Sequence, residues 1–228
     1  MEKSESFGPG MTRKSSLENF KSKEFHFNNY LQILGLKIKD ISGKKILDVG
    51  ADADEFAESC KEKKINTKIY SIDRSLEAHP STDKFLRTEK YLKADALAIP
   101  FKDNIFDLVI SVYAVPIMQR AAAIEKETIE KSIKEMLRVV RSGGQLIFAP
   151  VLSHPTFYDN QKNKIADNSI LSKRSPYDFF EERVDAMLNE LSNNGYLFTK
   201  ETIEQQNNEI KPGIFCVQYE YRICIIKP

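Results

Sequence analysis

The sequence predicts an α/β fold: a doubly wound sheet, mostly parallel, with an antiparallel C-terminal strand pair and a helical extension at its N-terminal side. Three observations carry this. Short apolar runs alternate with helix-forming segments between Lys45 and Val151, and strands separated by helices pair in parallel through crossovers rather than hairpins. The run Leu108 to Val112 is almost wholly apolar, as expected of a strand buried on both faces. Near the C-terminus two β-rich segments flank Lys211-Pro212-Gly213, a turn composition.

Taken in order, Met1 to about Ser16 is polar, carries Gly8, Pro9 and Gly10, and reads as a flexible lead-in over residues 1–16. Residues 17–228 then form one domain. Apolar side chains at Leu17, Phe20, Phe27, Tyr30, Leu31 and Leu34 make a broken helical stripe that predicts one or two helices, stopped at Gly35. Lys45 to Val49 is the first strand, ending at Gly50, and Ala53 to Lys63 the first crossover helix. Lys68 to Ile72 is the second strand, ending in Asp73; Tyr91 to Ala94 is the third and Phe106 to Tyr113 the fourth. Ile124 to Val140 puts Ile129, Ile133, Met136, Leu137 and Val140 on one helical face. Gly143 and Gly144 break that helix, and Gln145 to Val151 is the fifth strand.

Leu152 to Ser175 is polar and irregular, long for a connection inside a domain and so expected to be functional or disordered. Ser175, Pro176 and Asp178 form a helix start, a cap with proline in the first turn. The helix turns Phe180, Val184, Met187, Leu188 and Leu191 inward and ends near Gly195. Tyr196 to about Glu204 and Phe215 to Ile226 complete the sheet as an antiparallel pair at one edge.

Composition narrows the function. At 228 residues the chain is long enough for one complete core. The 34 basic and 33 acidic residues nearly cancel, without a like-charge block that would recruit nucleic acid or an anionic membrane. Apolar stretches such as Phe106 to Val115 fall far short of the roughly 20 residues that span a bilayer. The opening Met-Glu-Lys-Ser lacks the apolar core of a secretory signal. Cys60, Cys216 and Cys224 are odd in number and widely spaced, which argues against a disulfide framework and fits a reducing cytoplasm. His26, His79 and His154 do not pair at ligand spacing, so no metal is expected. Oligomeric state is not legible in these residues.

Ligands of open α/β sheets bind outside the carboxyl ends of the strands. Strand one ends Leu47-Asp48-Val49-Gly50-Ala51-Asp52-Ala53-Asp54, and strand two ends Tyr70-Ser71-Ile72-Asp73. Strand three gives Lys93-Ala94-Asp95-Ala96, ahead of Ile99-Pro100-Phe101, and strand four Phe106-Asp107-Leu108-Val109-Ile110-Ser111. With the later Leu137-Arg138-Val139-Val140-Arg141-Ser142-Gly143-Gly144-Gln145-Leu146, this succession resembles the class I S-adenosylmethionine-dependent methyltransferases, most closely the branch that modifies small molecules. The resemblance covers roughly Lys44 to Val151, and the C-terminal strand pair by topology. It implies a Rossmann-like fold and S-adenosylmethionine as cofactor, released as S-adenosylhomocysteine.

A glycine turn after strand one lets backbone approach a cofactor at a helix N-terminus. Gly50 fills that position, with Ala51 and Asp52 next and Asp48 just before it. An ionised Asp73 is placed to accept hydrogen bonds from both ribose hydroxyls. The resemblance implies that Asp95 meets the adenine amino group, that the amide of Ala96 meets the ring, and that backbone near Ser111 faces the methionine end. Arg74 is expected over the adenine face.

The implied reaction is in-line displacement at a methyl group on a charged sulfur, so the protein mainly positions the acceptor, a small molecule or a lipid-like one. No catalytic residue is assigned. Tyr113 and His154 are the acceptor-side candidates, and Tyr158 lies where the pocket should open. Asp107 is expected to orient strand four. Acceptor specificity is expected in the N-terminal helices and in Leu152 to Ser175.

Asp52 and Asp54 stand where the family usually carries glycine. They support an alternative: a catalytically inactive methyltransferase-like module that binds a nucleoside or a protein. A nicotinamide enzyme is disfavoured, since the first turn has one glycine where that fingerprint has three.

Overall fold

The computed structural model describes residues 23–52, 54–74, 90–115, 126–152, 156–161, 180–211 and 214–228. The expected lead-in, Leu17 and Phe20 of the helical stripe, and the expected cap at Ser175, Pro176 and Asp178 lie outside them. The helices are α1 (Lys23–Leu34), α2 (Ile38–Ile41), α3 (Glu55–Glu62), α4 (Lys126–Val139) and α5 (Phe180–Asn193). The strands are β1 (Lys45–Val49), β2 (Lys68–Asp73), β3 (Tyr91–Lys93), β4 (Phe106–Val112), β5 (Val140–Leu152), β6 (Thr156–Asp159), β7 (Leu197–Lys211) and β8 (Ile214–Ile226).

These strands form one sheet in the order β3-β2-β1-β4-β5-β8-β6, with β7 also paired to β8. Strands β1 to β5 pair in parallel, and β8 runs antiparallel to β5, β6 and β7. Side chains alternate across a strand, which gives two cores. Ile46, Leu108, Ile110 and Ile147 pack under Phe27, Leu31 and Leu34 of α1 and Phe56 and Cys60 of α3. Leu47, Val109, Leu146 and Phe148 pack on the other face against Ile133 and Met136 of α4 and Leu188 of α5. The sheet is therefore covered on both sides, as the apolar runs imply.

Polar anchors fix the layers. The Asp107 carboxylate accepts from the Lys45 amide at 2.7 Å and the Arg141 Nε at 2.6 Å, tying the start of β4 to β1 and β5. The expectation that Asp107 orients strand four is met. Those donors hold its carboxyl below the ordinary carboxylate range, against a rise from its partial burial. Lys227 Nζ caps α4 by donating to the carbonyls of Leu137 and Val140, each at 2.9 Å. Arg222 of β8 donates to the carbonyls of Gln32 and Ile33 at the end of α1 and pairs with Glu201 of β7. Gly35, at φ +65°, admits that guanidinium: a Cβ there would lie 2.3 Å from Arg222 Cζ.

The structure corrects some expectations. The stretch from Leu152 to Ser175 is not irregular throughout, because Thr156–Asp159 forms β6. Strand β8 runs past the end of its pairing with β5 and offers an edge at Ile214–Val217, which β6 fills. The fifth strand starts at Val140, directly after α4, rather than at Gln145. Val140 pairs with Phe106 and the register then shifts before Leu108 meets Gln145, so Gly143 and Gly144 lie inside the strand. Strand four ends at Val112, and the C-terminal pair is longer than expected, with β7 reaching Lys211. Among the described residues, no helix is long and apolar enough to cross a membrane.

Candidate functional site

At the carboxyl end of β1 the chain turns sharply into α3. Gly50 sits at φ +78°, and a Cβ there would lie 2.1 Å from the Ala114 Cβ. The turn is therefore pressed against the chain that leaves β4. The amides of Gly50 and Ala51 both donate to the Ile72 carbonyl, at 2.8 and 3.1 Å. The next two acids repeat a glycine-like geometry: Asp52 has φ 44° and Asp54 φ 62°. Aspartate is among the few L-residues that adopt this region at modest cost. The turn thus keeps a backbone that favours glycine at positions where glycine is missing.

Two contacts join this turn to the neighbouring strands. The Asp52 amide donates to the Asp73 carboxylate at 3.0 Å, and the Tyr91 hydroxyl donates to the Asp52 carbonyl at 2.9 Å. Asp52 is exposed, whereas Asp54 is buried at the start of α3.

Asp48 lies beneath the turn with 2% of its surface exposed. Burial pushes its carboxyl up to about 7; the hydrogen bond from Tyr30 opposes that rise, and the charges of Asp54 and Asp73 add to it. The Tyr30 hydroxyl donates to Asp48 Oδ1 at 2.7 Å. Sequence patterning marks Tyr30 only as part of a helical core stripe. The one available signal is its type, since a half-buried tyrosine needs a partner for its hydroxyl where phenylalanine needs none. Cys60 sits nearby on α3, its thiol pushed up to about 12 by burial and by Asp48, which makes it an inert core group.

The residues expected on the adenine side gather at the ends of β2 and β3. Asp73 closes β2, Arg74 follows it, and Arg74 Nε lies 3.6 Å from Asp95 Oδ2 in an exposed pair. The other Asp95 oxygen accepts from the Leu97 amide at 2.9 Å and rigidifies the turn that carries Ala96. Ser111 is fully buried. Its hydroxyl donates to the Val49 carbonyl and accepts from the Val115 amide, each at 2.9 Å, which ties the end of β4 to the end of β1.

Tyr113 follows at φ 54° with 52% of its surface exposed. Partial burial and then the carboxylates of Glu220 and Glu204 push its hydroxyl up to about 12. At neutral pH it is a hydrogen-bond donor and not a base. His154 lies outside the described residues; Tyr158 lies on β6. A cavity of about 420 Å³, lined by Cys60, Lys64, Thr67 and Lys90 among others, opens at the amino ends of β2 and β3. That is the wrong end of the sheet for this site.

Comparisons with known proteins bear on the fold that carries these residues. A family model described as "Methyltransferase domain" matches residues 47–148, somewhat under half of the chain. The crystal structure of the YcgJ protein of Bacillus subtilis superposes with a TM-score of 0.51 at 16% identity, covering 86% of this chain and 98% of that one. The shared feature is the Rossmann-like α/β fold, on which residues 47–148 are similar to a methyltransferase domain. Among curated proteins, a demethylmenaquinone methyltransferase of Renibacterium salmoninarum is 29% identical over 117 residues, 51% of this chain and 45% of that protein. A malonyl-[acyl-carrier protein] O-methyltransferase of Buchnera aphidicola is 27% identical over 130 residues, 57% of this chain and 48% of that protein. The chain spans about half the length of these curated relatives. Over residues 47–148 the chain is thus similar to methyltransferase domains.

Proposed function

We propose that the chain transfers a methyl group from S-adenosylmethionine to a small-molecule or lipid-like acceptor by in-line displacement. The observation that carries this reading is the joined turn: the amide of Asp52, in a left-handed conformation, donates to the Asp73 carboxylate. The residues expected at the ribose and at the amino-acid end of the cofactor thus form one unit outside the strand ends. The residues present suit the cofactor. Asp73 holds the ribose hydroxyls. Gly50, Ala51 and Asp52 present backbone, with Asp48 behind them, to the amino-acid end. Arg74, Asp95 and Ala96 bracket the adenine, and Ser111 fixes the backbone facing the methionine end.

The cofactor supplies a methyl group on a positively charged sulfur that is already a good leaving group. Tyr113 orients the acceptor by donating a hydrogen bond, since its raised hydroxyl keeps its proton. The name of one relative, a demethylmenaquinone methyltransferase, supports the lipid-like class of acceptor. We place the activity on one domain, residues 17–228, in the cytoplasm.

Calorimetric titration with S-adenosylmethionine and S-adenosylhomocysteine tests this reading, with Asp73→Ala as control. Micromolar binding is expected, weakened at least about a hundredfold in the variant, because two hydrogen bonds to a charged group are lost. An absence of binding at millimolar ligand would overturn the proposal.

Asp52 and Asp54 favour the second reading, an inactive nucleoside- or protein-binding module. The combined Asp52→Gly and Asp54→Gly variant separates the two. Because the backbone already has the glycine conformation, its affinity for S-adenosylmethionine is expected to stay within about tenfold, or 1.4 kcal/mol, of the parent. A gain of a hundredfold or more would identify a degraded site and favour the inactive module.

A further inference from the structure

One tyrosine touches both ends of the turn between β1 and α3. Ahead of the turn, the Tyr30 hydroxyl donates to Asp48 at 2.7 Å. Behind it, the Tyr30 ring stacks on Phe56 in the first turn of α3, with centroids 4.7 Å apart and planes 19° apart. Phe27, one helical turn earlier on α1, stacks on the same ring at 5.8 Å. The far end of α1 is held in turn by Arg222, through the carbonyls of Gln32 and Ile33. Helix α1 is thus a clamp across the turn, and Tyr30 is its point of contact.

The surroundings of Asp48 give the hydroxyl a specific task. Asp54 at the start of α3 and Asp73 on β2 both disfavour a further negative charge at this buried position. Cys60 on α3 is a neutral thiol there. The register partners of Asp48 are Ser71 on β2 and Ile110 on β4, neither of which ionises. The Ser71 hydroxyl is buried and has no hydrogen-bond partner among the described residues. Tyr30 therefore supplies, from α1, a donor that favours the carboxylate.

Resting on the methyltransferase reading above, we propose that Tyr30 is a positioning residue for the cofactor: its hydroxyl holds Asp48 as the carboxylate that receives the ammonium group at the cofactor's amino-acid end. Helix α1 is then part of the cofactor site and more than a cover for the sheet. Binding of the ammonium requires Asp48 to be ionised, so affinity rises with pH through the neutral range. Without the hydroxyl the rise moves to higher pH.

Tyr30→Phe tests this, since it removes the hydroxyl and keeps the ring that stacks on Phe56. Dissociation constants are measured by calorimetry between pH 6 and 7.5, which stays below the midpoint of about 7.7–8.0 at which an α-amino group loses its proton. The ligands are S-adenosylmethionine and 5′-methylthioadenosine, which lacks the amino-acid end. Thermal unfolding of both proteins confirms that the variant is folded. For the parent, S-adenosylmethionine is expected to bind roughly tenfold more weakly at pH 6 than at pH 7.5. Tyr30→Phe is expected to weaken it about fivefold or more at pH 7 and to push the midpoint upward. Binding of 5′-methylthioadenosine should respond to neither change. Equal weakening of both ligands at every pH marks a merely structural role and overturns the inference. So does parent binding of S-adenosylmethionine that is flat in pH, which leaves the methyltransferase reading standing. An absence of S-adenosylmethionine binding at any pH overturns that reading, and this inference with it.

Discussion

Replacing Gly50 with alanine is expected to cost the protein a large share of its stability. Two penalties combine. At φ +78° an L-side chain is strained, at about 1–2 kcal/mol. The new Cβ would also sit 2.1 Å from the Ala114 Cβ, an overlap that the chain relieves only by moving. Overpacking of this kind adds about 1–3 kcal/mol. The sum approaches half of the roughly 5–15 kcal/mol that holds a typical domain. Relief must come from the β1 turn or from the end of β4, and both belong to the candidate site. Urea denaturation of Gly50→Ala against the parent reads the loss. Adding Ala114→Gly should restore the steric part and leave the backbone part. A single variant within 0.5 kcal/mol of the parent, about the range of a neutral surface substitution, would show that this close approach is not a real constraint.

Strands β1, β2 and β4 are legible in the sequence because each is a short, mostly apolar run closed by glycine or by a polar residue. Asp73 is legible for the same reason, since its place at a strand end follows from the run before it. Strand β6 is not, because its pairing is non-local. Thr156 to Asp159 find their partners at Ile214 to Val217, and nothing inside the polar stretch around them announces that β8 over-runs β5. Tyr30 is legible as core and illegible as part of the site, because its hydroxyl meets Asp48 across a contact that no periodicity reports.

The two acids of the turn show a different limit. Against a family pattern Asp52 and Asp54 read as lost glycines. The structure shows both in the left-handed region, where aspartate is one of glycine's few substitutes. Residue type therefore carries the missing information: a β-branched valine or isoleucine at these positions would argue for a collapsed turn, whereas aspartate is compatible with a kept one.

Asp48→Asn is expected to stabilise the ligand-free protein above neutral pH while weakening the cofactor site. Burial, with Asp54 and Asp73, raises the Asp48 carboxyl to about 7 in the folded chain, from an ordinary 3.8. The folded state therefore holds this proton more tightly than the unfolded state between about pH 4 and 7. Stability from this group is complete below that window and is lost as pH rises through 7. The loss by pH 8 is of order 4 kcal/mol, at about 1.4 kcal/mol per pKa unit. Asparagine carries no charge and retains an oxygen for the Tyr30 hydroxyl, so it escapes the loss. Unfolding free energies of parent and variant should nearly coincide at pH 4 and diverge in the variant's favour towards pH 8, and the difference between them cancels the titration of all other groups. Parallel curves from pH 4 to 8 would show that Asp48 ionises without cost, and the raised carboxyl would have to be abandoned. Divergence as described, together with loss of S-adenosylmethionine binding, would mean that the fold keeps a destabilising carboxylate under the turn because the site uses its charge.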